Sequence, residues 1–234
     1  VQTCALPICI IRKVKGRKRF KMKKSIIILT ISLFILSCNK KNENFQKKVE
    51  LIEKPLSLKE IKDINSIVET IIIQDSLKVL KSNEYTNFLC HDLRRLPIDI
   101  PEKQDNGLVL PPAPGRIYLT DLLNERINDE IFFTTKDSSN LIAQNSKSSK
   151  FIIDKSILKN INSTSFEKEN AKQKKGENYR FYEMTIPIFS LDNQKAYVEL
   201  GYHCGTLCGH GKAIYLKKIN GKWIIVKKFG TWIS

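Results

Sequence analysis

Apolar positions along this chain follow two different periods. Leu58, Ile61, Ile64, Val68, Ile71 and Ile72 recur at helical spacing, and Ser57 with Glu60 supplies a capping box just ahead of them. The pattern predicts a helix over residues 58–73, with its apolar stripe packed on a sheet. Towards the C-terminus the period becomes two. Tyr182, Met184, Ile186 and Ile188 alternate with Glu183 and Thr185, and Ser190 to Gln194 supplies a turn. Ala196, Val198, Leu200, Tyr202 and Cys204 then alternate with Lys195, Tyr197, Glu199, Gly201 and His203. Residues 213–219 and 222–229 flank Asn220 and Gly221, the dipeptide that a two-residue type I′ hairpin turn prefers. That turn sets Leu216 opposite Ile225 and Lys218 opposite Trp223, with Ile214 on the same face. The predicted fold class is α+β: an N-terminal helix packed on a curved antiparallel sheet that ends in a four-stranded meander.

Between these regions the pattern is mixed. Leu96 to Pro101 reads as an extended edge segment, because its prolines remove ladder donors, and residues 107–115, with Pro111, Pro112 and Pro114, read as loop. Thr120 or Asp121 caps a short helix holding Leu122 and Leu123, and residues 131–135 read as a strand. The polar stretches 145–150 and 168–178 read as surface loops. Neither forces a second domain, so residues 57–234 are expected to form a single one.

The first part of the chain is organised differently. Val1 to Ile8 resembles the translation of a common sequencing adapter, and residues 1–21 are read as a non-native extension, with Met22 the natural start. Lys23 and Lys24 then precede an apolar run from Ile26 to Leu36, interrupted only by Thr30 and Ser32. A run this short does not span the roughly 30 Å hydrocarbon layer, which takes about 20 residues as a helix, so residues 22–37 read as a signal peptide. Ile35, Leu36, Ser37 and Cys38 resemble a lipobox, in which a small residue stands before the cysteine to be lipidated. The resemblance implies cleavage before Cys38 and acylation of that cysteine. It departs from the commonest pattern only in Ile35, where Leu is usual. Several acyl chains on one residue anchor stably where one chain binds marginally. The expected location is the cell envelope, on the outer membrane, with polar residues 38–56 as a tether.

Charge changes the picture less than its size suggests. Residues 1–37 hold nine basic residues and no acid, which leaves +7 of the formal +16 for the rest, in a chain whose richness in Lys, Ile and Asn is typical of an AT-rich genome. Basic residues are not interleaved with aromatics, so no nucleic-acid partner is expected. Lys172, Lys174 and Lys175 form a run that suits a solvated loop or a contact to an acidic glycan or lipid headgroup. No phosphate-cradling glycine loop, nucleophile elbow or outstanding carboxylate pair is present, so no cofactor and no catalytic residue is expected.

Cysteine and histidine carry the remaining candidate chemistry. Cys204, Cys208 and His210 stand in a glycine-rich join between two strands, Cys90 precedes His91, and His203 precedes Cys204. In an oxidising compartment the favoured reading is a disulfide between Cys204 and Cys208. The alternative is a metal site on Cys204, Cys208 and His210, disfavoured by a spacing unlike that of paired-cysteine zinc sites and by alternation, which sends His203 to the face opposite Cys204. A nucleophile pair of Cys90 and His203 lacks an activating third group.

The stretch from Ile186 through Cys204-Gly205 and Cys208-Gly209 to Asn220-Gly221-Lys222-Trp223 and the terminal Thr231-Trp232-Ile233-Ser234 resembles a family of Bacteroidetes lipoproteins and secreted proteins. The resemblance covers about the last third of the chain and implies lineage and export, but no activity. A helix on a curved sheet ending in a Gly-Lys-Trp strand is also similar, by fold-level analogy, to cone-shaped domains related to ketosteroid isomerase. Two functions follow as expectations. One is a non-enzymatic envelope module that binds an envelope protein or a glycan. The other is a small hydrolase or ligand-pocket protein, which requires a buried carboxylate or histidine in a pocket between helix and sheet.

Overall fold

The computed structural model describes residues 53–82, 87–205 and 208–234. Helix α1 (Leu58–Gln74) starts at the capping box: the Ser57 hydroxyl accepts from the Glu60 N–H, and the Glu60 carboxylate accepts from the Ser57 N–H at 2.9 Å. Thirteen strands follow, which are β1 (Phe88–Cys90), β2 (Asp92–Arg94), β3 (Ile98–Asp99), β4 (Ile117–Tyr118), β5 (Arg126–Ile127), β6 (Glu130–Ile131), β7 (Lys150–Ile152), β8 (Ser163–Thr164), β9 (Arg180–Met184), β10 (Ile188–Phe189), β11 (Lys195–Cys204), β12 (His210–Ile219) and β13 (Lys222–Ile233). Short helices interrupt them: α2 (Leu119–Asn124), α3 (Ser138–Ala143), α4 (Lys155–Leu158) and α5 (Phe166–Lys174).

The fold class is α+β. Its main sheet has seven strands in the order β13-β12-β11-β9-β1-β8, with β10 also beside β11. Strands β9, β11, β12 and β13 are successively antiparallel, whereas β1 joins β9 and β8 in parallel. The sheet is therefore mixed, where alternation alone predicts an antiparallel one. Strands β9 and β10 lie end to end along β11, divided near Pro187, whose ring removes an amide donor. The hairpin register is as expected beside its turn, with Leu216 opposite Ile225 and Lys218 opposite Trp223. Asn220 and Gly221 both have positive φ, 50° and 77°. Bulges between Tyr215 and Leu216 and between Gly211 and Lys212 then shift β13 relative to β12.

Each face of the sheet has its own core. On one face α1 lays Ile64, Ile67, Val68 and Ile71 against Val198, Leu200, Ile214, Leu216 and Trp223. Two carboxylates lock this contact. Asp63 accepts from the Trp223 indole at 3.2 Å and from Lys218, and Asp75 pairs with Lys212 and Lys228. On the other face Tyr197, Ala213, Tyr215 and Ile188 are buried under Leu96, Ile98, Leu122, Phe132, Phe133 and Leu141 from the middle of the chain. The strand alternation predicts one apolar face, but here both are covered for part of their length.

Other local differences have identifiable causes. Residues 168–178 do not form a simple loop. Helix α5 takes in most of them, capped by the Ser165 hydroxyl, and its buried Glu169 accepts from Thr164 at 2.7 Å and Lys172 at 2.8 Å. A charged helix has no apolar period to read, so tertiary anchoring of one glutamate decides it. Of residues 131–135 only Ile131 is in a strand; Phe132 and Phe133 turn inward and pack edge to face, with ring centroids 4.8 Å apart. The short helix around Leu122 begins at Leu119, with no side-chain cap. Residues 53–56, assigned to the tether by polarity, join the domain: the Lys54 N–H donates to the Ser146 carbonyl and Leu56 packs on the α1 core.

Candidate functional site

Away from the second core the same sheet face is polar and open. One row of paired residues crosses it: Glu183 on β9, Gly201 on β11, Gly211 on β12 and Trp232 on β13. The two central glycines leave a trough. A Cβ on Gly211 would lie 2.0 Å from the Trp232 indole nitrogen, and one on Gly209 would lie 2.9 Å from the far edge of the same ring. The indole therefore lies across both glycines. On the other side a Cβ on Gly201 would lie 3.1 Å from His203 Nε2 and 3.2 Å from the Glu183 side chain. Glycine inside a strand marks such close approaches.

His203 and Glu183 form a pair in this trough, with Nε2 and Oε1 2.8 Å apart. The imidazole is held between two rings, stacked on Phe181 at 4.8 Å and tilted against Trp232 at 5.5 Å. Glu199 is the next residue along this face of β11. It accepts a hydrogen bond from the Tyr197 hydroxyl at 2.9 Å and has no cationic partner among the described residues. Burial pushes its carboxyl above the usual carboxylate range and the negative charge of Glu183 adds to this, while the Tyr197 bond opposes it. Burial pushes the Tyr197 phenol up as well, beside the carboxylate of Glu199. Only one oxygen of Glu183 and one of Glu199 accepts a hydrogen bond among the described residues.

A helix completes the site. The Phe166 N–H at the start of α5 donates to Asp92 at 3.1 Å, and the Arg94 guanidinium stacks on the Phe166 ring at 3.7 Å. This brings Asn170 and Gln173 of α5 over the trough. The resulting cleft has a volume of about 500 Å³, within the range of small-ligand sites. It lies between a helix and the sheet and holds a partly buried carboxyl group and a histidine. The helix is α5, and the space between α1 and the sheet is filled.

Cys204 and Cys208 are bonded to each other, with Cα atoms 5.3 Å apart, inside the usual range for a disulfide. The bond closes the join between β11 and β12, and strand alternation sends Cys204 to the face opposite His203. With both sulfurs engaged, the alternative metal set keeps only His210, which pairs with Tyr202 across the ladder. Among the described residues no group of three or more His, Cys, Asp or Glu side chains is placed to hold a metal ion. Cys90 is a buried thiol among Tyr179, Phe181, Phe88 and Phe166. Burial pushes its pKa far up, and Asp92, Glu183 and Glu169 push the same way, so it stays protonated. His203 is engaged with Glu183, and the sequence-suggested pairing of Cys90 with His203 is not made. Cys38 and the rest of the lipobox lie outside the described residues.

The chain matches no family model, no curated protein and no solved structure. Glu183, Glu199, Trp232 and the α5 amides are not among the site residues predicted from the sequence. One signal for them was present: Gly201 and Gly211 interrupt otherwise well-formed strands, and a strand glycine calls for something to lie upon it.

Proposed function

We propose that this protein is an exported, lipid-anchored envelope protein that uses the cleft on the second face of its sheet to bind a small polar ligand. The cleft itself carries the binding half of this reading. Fully folded strands place Glu183, Glu199 and His203 in a trough whose polar groups are only partly satisfied by the protein, under a helix pinned by Asp92. Export and anchoring rest on the basic start, the short apolar run and Ser37 before Cys38, and a disulfide between Cys204 and Cys208 fits an oxidising compartment. Among the described residues no helix is long and apolar enough to cross a membrane. The C-terminal resemblance to Bacteroidetes lipoproteins and secreted proteins supports the same reading.

Metabolic labelling with a clickable fatty acid tests the anchor: the wild type takes up label and Cys38→Ala does not. Equal labelling of both refutes lipidation at this position. The cleft is tested by heteronuclear NMR with a fragment mixture, where shifts are expected at His203 and the Trp232 indole. A site that no fragment perturbs is not a binding site.

A further inference from the structure

We propose that the ligand of this cleft is a neutral sugar, gripped by Glu183, Glu199, Asn170 and Gln173 and stacked on the indole of Trp232. The inference rests on the binding role proposed for the cleft and names its ligand class. A pyranose ring has one chemistry on its faces and another at its rim. The faces present C–H groups and suit an aromatic plane, while the rim presents hydroxyls that both donate and accept.

The cleft offers both complements. Trp232 lies across Gly209 and Gly211, has His203 beside it, and remains 39% exposed. Such a platform is rigid because the glycines leave it nowhere to sink. Facing it are planar polar groups with unused capacity. The amides of Asn170 and Gln173 make no hydrogen bond to other described residues, and each of the two glutamates has a free oxygen. Each planar amide presents an adjacent donor and acceptor, the spacing that vicinal hydroxyls match, and each glutamate adds one free acceptor.

Charge separates a sugar from a cationic ligand. Asp92, Glu183 and Glu199 line the cleft together with Arg94 and Arg95, and the His203 ring is hydrogen-bonded to Glu183. An ammonium group entering here would meet two guanidinium neighbours, which offset the attraction of the carboxylates. A neutral hydroxyl-rich ligand meets no such penalty, and it satisfies donors and acceptors of either kind.

The test uses the full chain in a detergent without a sugar headgroup. Glucose, galactose, mannose and N-acetylglucosamine are assayed by saturation-transfer NMR and by calorimetric titration, alongside putrescine and calcium. At least one sugar is expected to bind, with its ring C–H protons closest to the protein. Asn170→Ala and Glu199→Gln should each weaken it about tenfold, the effect of one lost hydrogen bond, without lowering the melting temperature. Trp232→Ala should abolish binding and Trp232→Phe should restore part of it. Binding of putrescine or calcium, lost in Glu183→Gln, with no response to any sugar would overturn the ligand class and leave the cleft a ligand site. Sugar binding that all four variants leave unchanged would place the sugar elsewhere and overturn the assignment. If neither sugars, amines nor calcium bind and no fragment perturbs His203 or Trp232, the sugar proposal and the binding role fall together.

Discussion

The two faces of the sheet use the same strands for opposite ends. On the α1 face the row Val198, Leu200, Ile214, Leu216 and Trp223 is fully covered, and its polar groups, Asp63 and Asp75, are matched by Lys218, the Trp223 indole, Lys212 and Lys228. On the other face the cover from the middle of the chain stops after Tyr197, Ala213 and Tyr215. Beyond it Glu199 and Glu183 share few partners. Matched polar groups beneath a helix stabilise the domain; half-matched groups beside an open cleft leave interactions for a ligand to complete. The two tryptophans of the chain mark the contrast. Trp223 is 2% exposed and Trp232 is 39% exposed.

That contrast is broken most directly at those tryptophans. Trp223→Ala is expected to cost about 3–5 kcal/mol in denaturant unfolding, since it leaves a cavity under α1 and strips a partner from Asp63. Trp232→Ala is expected to cost about 1 kcal/mol or less. Equal losses for the two would show that the cleft face carries as much of the fold as the α1 face. Cys204→Ser should cost about 2 kcal/mol, the chain-entropy effect of so short a loop, and reductant should lower the wild-type melting temperature to match. Gly211→Ala should cost about 1 kcal/mol and displace Trp232, read as a red shift of indole emission relative to wild type. An unchanged spectrum would mean that the ring does not rest on that glycine.

The smallest effect is the sharpest comparison, because the carboxylates of the two faces titrate in opposite directions. Burial disfavours the charged form of Asp75, but Lys212 and Lys228 outweigh it and hold its carboxyl below the usual range. Its stabilisation is present at neutral pH and is lost as pH falls from the unfolded value through the folded one. Glu199 is raised by burial, so its contribution is present in acid and lost as pH rises through the folded value. Denaturant midpoints measured against pH should therefore lose part of their acid limb in Asp75→Asn, the rest belonging to other lowered carboxylates such as Glu60. In Glu199→Gln the decline above the usual carboxylate range should disappear, with a gain in stability at neutral pH. A decline that persists in Glu199→Gln would assign it to another group.

Local chemistry determined much of this protein without help from the rest of the chain. The capping box and the stripe of isoleucines define α1, and Asn220-Gly221 defines a hairpin and the pairing of Leu216 with Ile225, because turn geometry and side-chain period are properties of a few adjacent residues. The disulfide partners are close in sequence and were legible for the same reason. The parallel insertion of β1 beside β9, the cover over Tyr197 and Tyr215, and helix α5 were decided only by tertiary structure. Strand alternation says that Tyr197, Glu199, Gly201 and His203 share a face, but not what lies above them. That depends on segments some thirty to a hundred residues away, whose packing converts a polar strand face into a core at one end and a cleft at the other.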